Sequence, residues 1–508
     1  MLSNHKNNHR YIIFPVYMAL MLGIGSCKKL VDVGKPVSTI TTEDAFSTNA
    51  KANSTLAGIY SQMMNNSGLM VFSNGGLSVY AGLSADELAN LAGTVNTFDY
   101  QFYTNTLLAT TTMPGSLIWQ PAYKNIYNSN AVIAGIAAST ATALSDSVRK
   151  ELTGEAKFIR AFCYFYLTNL YGDIPLPLVT DFNQTALLKK TAQADVYKQI
   201  VQDLTDAESL LPGDYSVAGG ERVRPNKWAA KALLARVYLY QQDWPNAEAQ
   251  ASAVIGNSQY SLPAITGVFG KNSTESIWQL QQNNTYKPYN ATWEGSNFVP
   301  LFRWSALSAT DKASFLVPSS YNAFITYIVP PYYFRPGFVS NFETGDKRKA
   351  TWTDSTPSPA TAPYNGVPYY YPYKYTTQLG ATGGAITQYY TVLRLAEQYL
   401  VRAEARAQQG NNLSGAAADL NALRTRAGLG NTTAATKTDL LAAVAHERQT
   451  ELFAEWGHRW LDLKRTGQAT AVLGAIPTKQ PWSNNQLLYP IPTLDLTNDP
   501  NLVQNPGY

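Results

Sequence analysis

Residues 227–255, KWAAKALLARVYLYQQDWPNAEAQASAVI, carry the spacing of a helical hairpin with a closely packed interior. Small side chains such as Ala235 and Ala247 let two helices approach each other, and hairpins of this kind need stacked neighbours to bury their outer faces. A chain built on them is expected to be mainly α-helical. The positions that match a tetratricopeptide repeat are Leu234, Ala235, Tyr238, Ala247 and Val254.

The same helical pattern recurs along the chain. Residues 394–428 repeat the hairpin, with Ala403 in the first helix and Gly410 at the turn. Cys163 lies on the apolar stripe of another helical segment, so we expect a buried core thiol rather than a reactive one. We predict four hairpins, separated by inserted sequence. The remaining predicted helical segments are 43–65, 117–138, 151–175 and 193–211.

Two insertions differ in character from these helices. Residues 66–116 and 256–390 are rich in glycine, asparagine, serine, threonine, proline and aromatic residues. Proline at this density excludes long helices. The aromatic content argues against disorder, because disordered segments are poor in aromatic residues. The sequence therefore predicts a helical scaffold that carries a large, ordered, irregular region, followed at the end of the chain by an extended, non-helical tail.

One further helix is predicted over residues 446–467, HERQTELFAEWGHRWLDLKRTG. Paired carboxylates on a helix could serve acid–base chemistry. Spacing at i,i+4 is more typical of ion pairs on a helix surface or between helices, and we favour that interpretation. The charged residues that follow each other at this spacing are Glu447, Glu451, Glu455 and Arg459.

The N-terminal segment has the layout of a secretory leader. A basic start without acids precedes a wholly apolar run at residues 11–24, which is shorter than the roughly 20 residues that span a bilayer as a helix. The run ends in a small-residue pair before Cys27, as in a bacterial lipobox. We expect residues 1–26 to be removed and Cys27 to be acylated. The alternative is an ordinary secreted protein with an incidental cysteine.

The charge of the chain is low and nearly balanced. Its net charge is +4, and charged residues make up 15% of the sequence against about 25% in typical proteins. Nucleic-acid binding requires a concentrated basic face, so the composition argues against that class of partner. Aromatic residues reach 12% and include 33 tyrosines. This composition favours a surface that binds neutral polar ligands through ring stacking and hydroxyl contacts.

Motifs of common catalytic sites are missing from the sequence, including G-x-S-x-G, phosphate-binding loops, G-x-G-x-x-G and H-E-x-x-H. Behind the leader, His446 and His458 remain. One predicted helix would separate them by about 18 Å, too far to share a metal ion. We expect no enzymatic activity, no cofactor and no metal site. A glycosidase stays open, because its two carboxylates need no motif.

Eight short segments follow one another in an order that resembles the SusD/RagB family of nutrient-uptake lipoproteins of the Bacteroides group. The resemblance covers essentially the whole chain. The segments are CKKLVDV, AFSTNAKANSTLAGIYSQM, GEAKFIRAFCYFYLTNLYGDIPL, RPNKWAAKALLARVYLYQQDW, NFETGDKRK, YTVLRLAEQYLVRAEARAQQG, ERQTELFAEWGHRWLDLKRTG and YPIPTLDLTNDPNLVQNPGY.

This resemblance implies a fold, a location and a partner. The fold is a mainly α SusD-like fold, in which four tetratricopeptide-like helix pairs support a large irregular, loop-rich region. The location is the outer face of the outer membrane, held by the lipid anchor. The partner is a SusC-like, TonB-dependent β-barrel transporter, to which such proteins hand a captured oligomer. In relatives that bind starch-like glycans, the site is an arc of aromatic side chains with polar neighbours.

The resemblance also indicates where a ligand would bind, in the loops after the first and third helix pairs. A sugar ring stacks its apolar CH face on Trp or Tyr, while amide, carboxylate and guanidinium groups take its hydroxyls. The PYYYPYKY run is instead expected to face the transporter or to pack. The residues nominated by position are Tyr80 and Tyr100 from the first insertion, and Tyr286, Tyr289, Asn290, Trp293, Arg303 and Trp304 from the second.

We expect the protein to capture oligosaccharides, and three alternatives stay open. They are the same fold capturing peptides or another nutrient, a tetratricopeptide-type interaction protein that binds in its helix grooves, and a hydrolase. The predicted organisation has a leader at 1–26 and two further parts. The N-terminal part, 27–255, contains three helix pairs and the insertion at 66–116. The C-terminal part, 256–508, contains the loop region 256–390, the last helix pair at 391–428, one more helix and the tail.

Overall fold

Helices dominate the computed structural model, which describes Met1, residues 41–111 and residues 115–508. This confirms the predicted mainly α class. Apart from Met1, the predicted leader and Cys27 lie outside the described residues. The helices with eight or more residues in the described part are α1 (Asn49–Asn65), α2 (Gly76–Ser84), α3 (Thr97–Thr104), α4 (Gln120–Ala138), α5 (Asp146–Tyr171), α6 (Gln193–Leu210), α7 (Lys227–Tyr240), α8 (Trp244–Ile255), α9 (Pro318–Ile328), α10 (Leu395–Gln409), α11 (Leu413–Ala427), α12 (Lys437–Glu451) and α13 (His458–Arg465).

Short helices and short antiparallel strand pairs connect these helices. The short helices are Thr42–Ala45, Phe182–Thr185, Trp293–Phe298, Ala309–Phe315, Lys347–Trp352, Ala469–Leu473 and Thr493–Asn498. The strand pairs are β1 (Leu88–Asn90) with β3 (Tyr332–Phe334), β2 (Ser276–Leu280) with β6 (Tyr390–Arg394), and β4 (Thr353–Thr356) with β5 (Tyr369–Pro372). The first pair joins the two insertions to each other.

The longer helices pack one against the next in a continuous array. Each helix from α4 to α7 packs on its successor, and α8 then packs on α10, so the array continues across the second insertion. Helix α10 packs in turn on α11 and α12. Such an array buries the faces that isolated hairpins would leave exposed. Its division into four repeat pairs stays a prediction. Within the described residues, no helix is long and apolar enough to cross a membrane.

The predicted turn of the last hairpin is confirmed at Gly410. Helix α10 ends there because Gly410 adopts the left-handed conformation with φ of 73°, which costs glycine little. Two residues later the side chain of Asn412 caps α11 by accepting a hydrogen bond from the Gly415 backbone N–H at 3.0 Å. The sequence thus fixes both the end of one helix and the start of the next.

The single helix predicted over 446–467 is wrong, because the chain turns between α12 and α13. Ala454, Trp456 and Gly457 all have positive φ values. Tertiary contacts impose this turn: the Trp456 backbone N–H donates to the Ser78 hydroxyl at 3.1 Å, and the Trp456 ring stacks on Tyr390 at 4.8 Å. His446 and His458 therefore lie on two different helices. The apolar periodicity continues across the turn, which is why the sequence concealed it.

The insertions contain more helix than the sequence indicated. Helices α2 and α3 lie in the first insertion and α9 lies in the second. All residues of α2 are buried, so it has no polar face and shows no amphipathic period. The tail is also not wholly extended, since residues Thr493–Asn498 form a short helix. The expectation that proline excludes long helices from the insertions is met, since α9 has 11 residues.

One large apolar core runs through both predicted parts of the chain. The Phe162 ring on α5 lies 5.5 Å from that of Trp278 and 5.4 Å from that of Trp456. Cys163 is fully buried beside them, which confirms its prediction as a core thiol, and burial raises the pKa of that thiol. The boundary proposed at residue 255 thus separates stretches of sequence that share a core, and the two-part division stays a prediction.

A buried ion network ties the second insertion to the last helices. Arg394 is its centre: Nη1 donates to Glu275 Oε1 at 2.8 Å and to Glu451 Oε1 at 2.6 Å, and Nε donates to Glu455 Oε2 at 2.8 Å. The ion-pair interpretation of the predicted acids is confirmed between elements, although the pairs are buried rather than on a helix surface. The network consists of Glu275, Asp346, Arg348, Lys374, Arg394, Arg426, Glu447, Glu451 and Glu455.

Glu87 should make folding stability depend on pH. Its buried carboxylate accepts a hydrogen bond from the Ala454 backbone N–H at 3.1 Å, and burial raises its pKa from 4.5 to about 8. The unfolded chain loses this proton at lower pH than the folded chain does. The native state should therefore lose stability as pH rises from 4.5 to about 8.

Glu87→Gln should flatten this dependence, because an amide does not titrate. Urea unfolding of both proteins at about pH 5 and about pH 8.5 measures the difference in the two slopes. Comparing the slopes cancels the contributions of other buried carboxyls. Equal slopes for wild type and variant would contradict the assignment to Glu87.

Candidate functional site

Tyr80 does not belong to an accessible site, and its nomination is wrong. It lies on α2 and is 3% exposed. Its ring stacks on Phe102 at 5.0 Å and meets Phe98 edge-on at 5.3 Å. The sequence placed Tyr80 in an irregular loop because α2 is buried on all sides and lacks helical periodicity.

Tyr100 lies on α3 and is half-buried, with its ring 6.1 Å from that of Tyr103. The Tyr103 ring in turn carries the guanidinium of Arg335 at 3.9 Å, and Arg335 Nη2 donates to the Tyr103 carbonyl at 2.8 Å. Tyr100 therefore borders the point where the two insertions are joined. A role in ligand binding stays a prediction for this residue.

The segment Tyr286–Trp293 packs onto neighbouring loops. The Asn290 side chain hydrogen-bonds to the backbone of a neighbouring loop. Its Nδ2 donates to the Ala385 carbonyl at 2.9 Å, and its Oδ1 accepts from the Ala381 N–H at 2.8 Å. Tyr289 and Trp293 are half-buried. Tyr286 is 51% exposed and keeps a ring face open to solvent. Asn290 thus positions a loop, while ligand contacts by the other members stay predictions.

Arg303 and Trp304 lie where the two insertions meet. Trp304 packs against a second apolar cluster, made of Tyr321, Ile328 and Val329, which is separate from the main core. Leu91 from the first insertion packs against the same cluster. Arg303 is held beside it, because Nη2 pairs with Asp354 Oδ2 at 2.9 Å. Of the nominated residues, these two lie next to a group of exposed aromatic rings in the loop-rich region.

This group of rings, here called the aromatic platform, consists of Phe302, Phe324 and Tyr327. Their side chains are 43%, 40% and 44% exposed. The rings of Phe302 and Tyr327 lie 5.8 Å apart at an interplanar angle of 19°, and the Phe324 ring lies 6.2 Å from that of Tyr327. The Phe302 backbone N–H donates to the Tyr327 carbonyl at 2.8 Å, which holds the pair together. Open ring faces in this arrangement suit flat, partly apolar ligands.

A tyrosine cleft of about 360 Å³ lies near the platform. The Tyr333 and Tyr369 rings in its wall meet edge-on at 5.0 Å. Helix α9 joins the cleft to the platform, because the Tyr364 hydroxyl donates to the Asn322 side chain on α9. The volume lies within the range of small-molecule sites. The lining of the cleft includes Tyr333, Tyr364, Asn365, Tyr369 and Tyr370.

Two groups beside the platform and the cleft, Arg303 and Tyr333, are paired or protonated. The guanidinium of Arg303 pairs with Asp354 and lies 4.1 Å from the centre of the Tyr373 ring. Burial, followed by the proximity of Tyr369, raises the pKa of Tyr333 to about 12, so its hydroxyl keeps its proton. Hydroxyl donors and open ring faces are the chemistry that a neutral polyhydroxy ligand requires, and the guanidinium of Arg335 also lines the cleft.

Sequence reasoning missed the platform and set the cleft aside. Phe302 stands two residues before the nominated Trp304, but it was not nominated, because tyrosine and tryptophan were the rings considered for sugar stacking. The density of tyrosines in PYYYPYKY was a usable signal for the cleft. It was discounted because the run precedes the last helix pair, and only the pairing of β4 with β5 brings it towards α9.

Comparison with known protein families matches most of the chain. Residues 282–508 match the SusD family, and residues 35–239 match a family described as starch-binding and associating with the outer membrane. The platform and the cleft both lie within the first of these matches.

Several relatives and solved structures are similar over nearly the full length. SusD-like protein P2 of Formosa agariphila is 26% identical over 97% of this chain and 99% of that protein. The starch-binding protein SusD of Bacteroides thetaiotaomicron is 37% identical, but over 23% of this chain and 21% of its own. A laminarin-binding SusD-like protein of known structure is 25% identical, with a TM-score of 0.73 over 91% of this chain and 100% of that chain.

The fold gives the same answer as the sequence matches. A SusD superfamily protein of Bacteroides vulgatus has a TM-score of 0.72 over 91% of this chain and 99% of that chain, at 21% identity. The eight segments, the mainly helical fold and the two family matches agree, and the chain belongs to the SusD/RagB family.

Proposed function

We propose that the protein captures a neutral oligosaccharide on the aromatic platform and in the adjoining tyrosine cleft, without cleaving it. The observation that carries this proposal is the stacked, solvent-facing pair of Phe302 and Tyr327, 5.8 Å apart beside the cleft. Sugar rings stack on such faces, and the tyrosine hydroxyls and the Asn365 amide can serve sugar hydroxyls.

Named relatives support a glycan as the ligand. One is called starch-binding and another laminarin-binding. The delivery of the captured glycan to a SusC-like, TonB-dependent transporter in the outer membrane is part of the proposal. It is supported by the family's description as associating with the outer membrane.

The membrane attachment is proposed to run through acyl chains on Cys27. The apolar run and the small residues before Cys27 support it. Palmitate labelling of cells that express the full chain should mark the wild-type protein and leave Cys27→Ser unlabelled. Equal labelling of both proteins, or of neither, would contradict this attachment.

A binding panel tests the capture itself. The purified protein is titrated with laminarin, starch oligosaccharides, other neutral glycans and a set of peptides, while chromatography follows the size of each glycan. We expect retention of at least one neutral glycan at unchanged length. Retention of peptides alone would replace the glycan by a peptide, and the accumulation of shorter sugars would identify a hydrolase.

A further inference from the structure

A cavity of about 450 Å³ lies between the last helices, outside the platform and the cleft. Helices α10, α12 and α13 and the short helix Ala469–Leu473 form its walls. Its lining combines apolar side chains, among them Leu441, Val444, Leu463 and Val472, with charged ones. The cavity is therefore amphipathic, with room for an organic molecule of several carbon atoms.

Arg448 in the wall of this cavity has unused hydrogen-bond donors. Arg448 is 3% exposed, and its Nε donates to Asp462 Oδ2 at 2.7 Å. Its Nη1 and Nη2 have no hydrogen-bond partner among the residues that the structure describes. A buried donor without a partner destabilises the folded state, and more so when the group is charged. A molecule in the cavity that accepts from both nitrogens would remove this destabilisation.

The fixed charges around the cavity cancel. Asp462 is shared by Arg448 and Arg465, with its Oδ1 2.8 Å from Arg465 Nε, and Arg465 also pairs with Glu404. Arg459, the third guanidinium in the wall, pairs with Asp86 at 2.7 Å. Three cations thus face three anions, and no surplus negative charge opposes the entry of one anionic group.

We propose that this cavity binds an organic monocarboxylate with an aliphatic body, at a site separate from the glycan surface. Two parallel N–H donors of one guanidinium match the two oxygens of a carboxylate, in a bidentate geometry that single hydroxyl groups do not reproduce. The apolar residues of the lining cover the aliphatic part. The carboxylate satisfies Nη1 and Nη2, and the body covers the apolar surface of the half-buried Leu441 and Val472.

Hexanoate and hexanamide are matched probes, because they differ in charge and in the second acceptor oxygen. Calorimetric titration of the purified protein should show saturable hexanoate binding that is at least tenfold tighter than hexanamide binding. Arg448→Lys should weaken hexanoate binding at least tenfold, because lysine keeps the positive charge but lacks the two parallel N–H donors of the guanidinium. Glycan binding measured on the same protein should stay unchanged, which separates this site from the proposed glycan site.

A second variant covers the case in which Arg448→Lys fails to fold. Ala442 is an exposed residue of the wall, so Ala442→Trp should block the cavity and lower hexanoate affinity at least tenfold without removing a charge. Ala418→Trp, at an exposed position on α11 outside the wall, is the control and should bind like wild type. Absence of saturable binding, equal affinity for both probes, or unchanged affinity in Ala442→Trp would overturn the proposal and leave only water in the cavity.

Discussion

Replacing both Phe302 and Tyr327 by alanine should lower the affinity for the captured glycan on the order of 10²-fold. Each ring contributes about 1–2 kcal/mol of stacking and burial when a ligand covers it. The two rings lie in nearly parallel planes, so one sugar chain can cover both. Because the backbone bond between the two residues does not involve the side chains, the double variant should keep its fold.

Isothermal titration with the glycan selected by the panel measures the loss. Tyr127→Ala is the matched control, since Tyr127 is 52% exposed but lies on α4, outside the loop-rich region. We expect its affinity to stay within about twofold of wild type. An unchanged affinity in the Phe302 and Tyr327 double variant would show that the glycan binds elsewhere. A comparable loss in Tyr127→Ala would show that the effect is not specific to the platform.

Arg394→Ala should destabilise the protein by about 3–5 kcal/mol, because it removes the cation that three buried carboxylates share. Glu451 is the most affected, since Arg426, Arg394 and Arg348 together hold its pKa well below the ordinary value against the opposing effect of burial. Without Arg394, less positive charge faces Glu275, Glu451 and Glu455. The free energy of unfolding from urea denaturation measures the effect.

Two features separate this loss from ordinary packing damage. The deficit of Arg394→Ala relative to wild type should shrink at low pH, because protonation relieves the carboxylates that the variant leaves unpaired. Lys198→Ala removes an exposed pair with Asp195 and should change stability by less than about 1 kcal/mol. A deficit as small as that of Lys198→Ala would mean that the remaining cations compensate for Arg394.

The helical half of the fold could be predicted from the sequence because local signals determine it. The turn at Gly410 needs a left-handed residue, and glycine supplies it. The apolar stripe that includes Cys163 identifies a core face directly. The acids at Glu447, Glu451 and Glu455 were correctly assigned to ion pairs, although their partners are not the i,i+4 neighbours that suggested the pairing. Their burial depends on partners more than fifty residues away, such as Arg394, and was beyond reach.

The candidate site was less predictable, because contacts between distant residues form it. Trp304 and Arg303 pointed to the right neighbourhood, but the open ring faces belong to Phe302 and Tyr327, which come together only through the fold of the second insertion. Tyr80 failed for the opposite reason, since a helix buried on all sides has no period to recognise. Exposure of a ring is a tertiary property that composition does not encode.

The small cluster of Tyr321, Ile328 and Val329 beneath the platform is separate from the main core. Substitutions in the residues that it supports disturb a few local neighbours and leave the packing of the helix array intact. Mutations can therefore change which ligand the platform binds, while the free energy of unfolding of the helix array stays nearly the same. A lineage that meets a new polymer can refit this one patch, and a designer can graft loops there, without repacking the rest of the molecule.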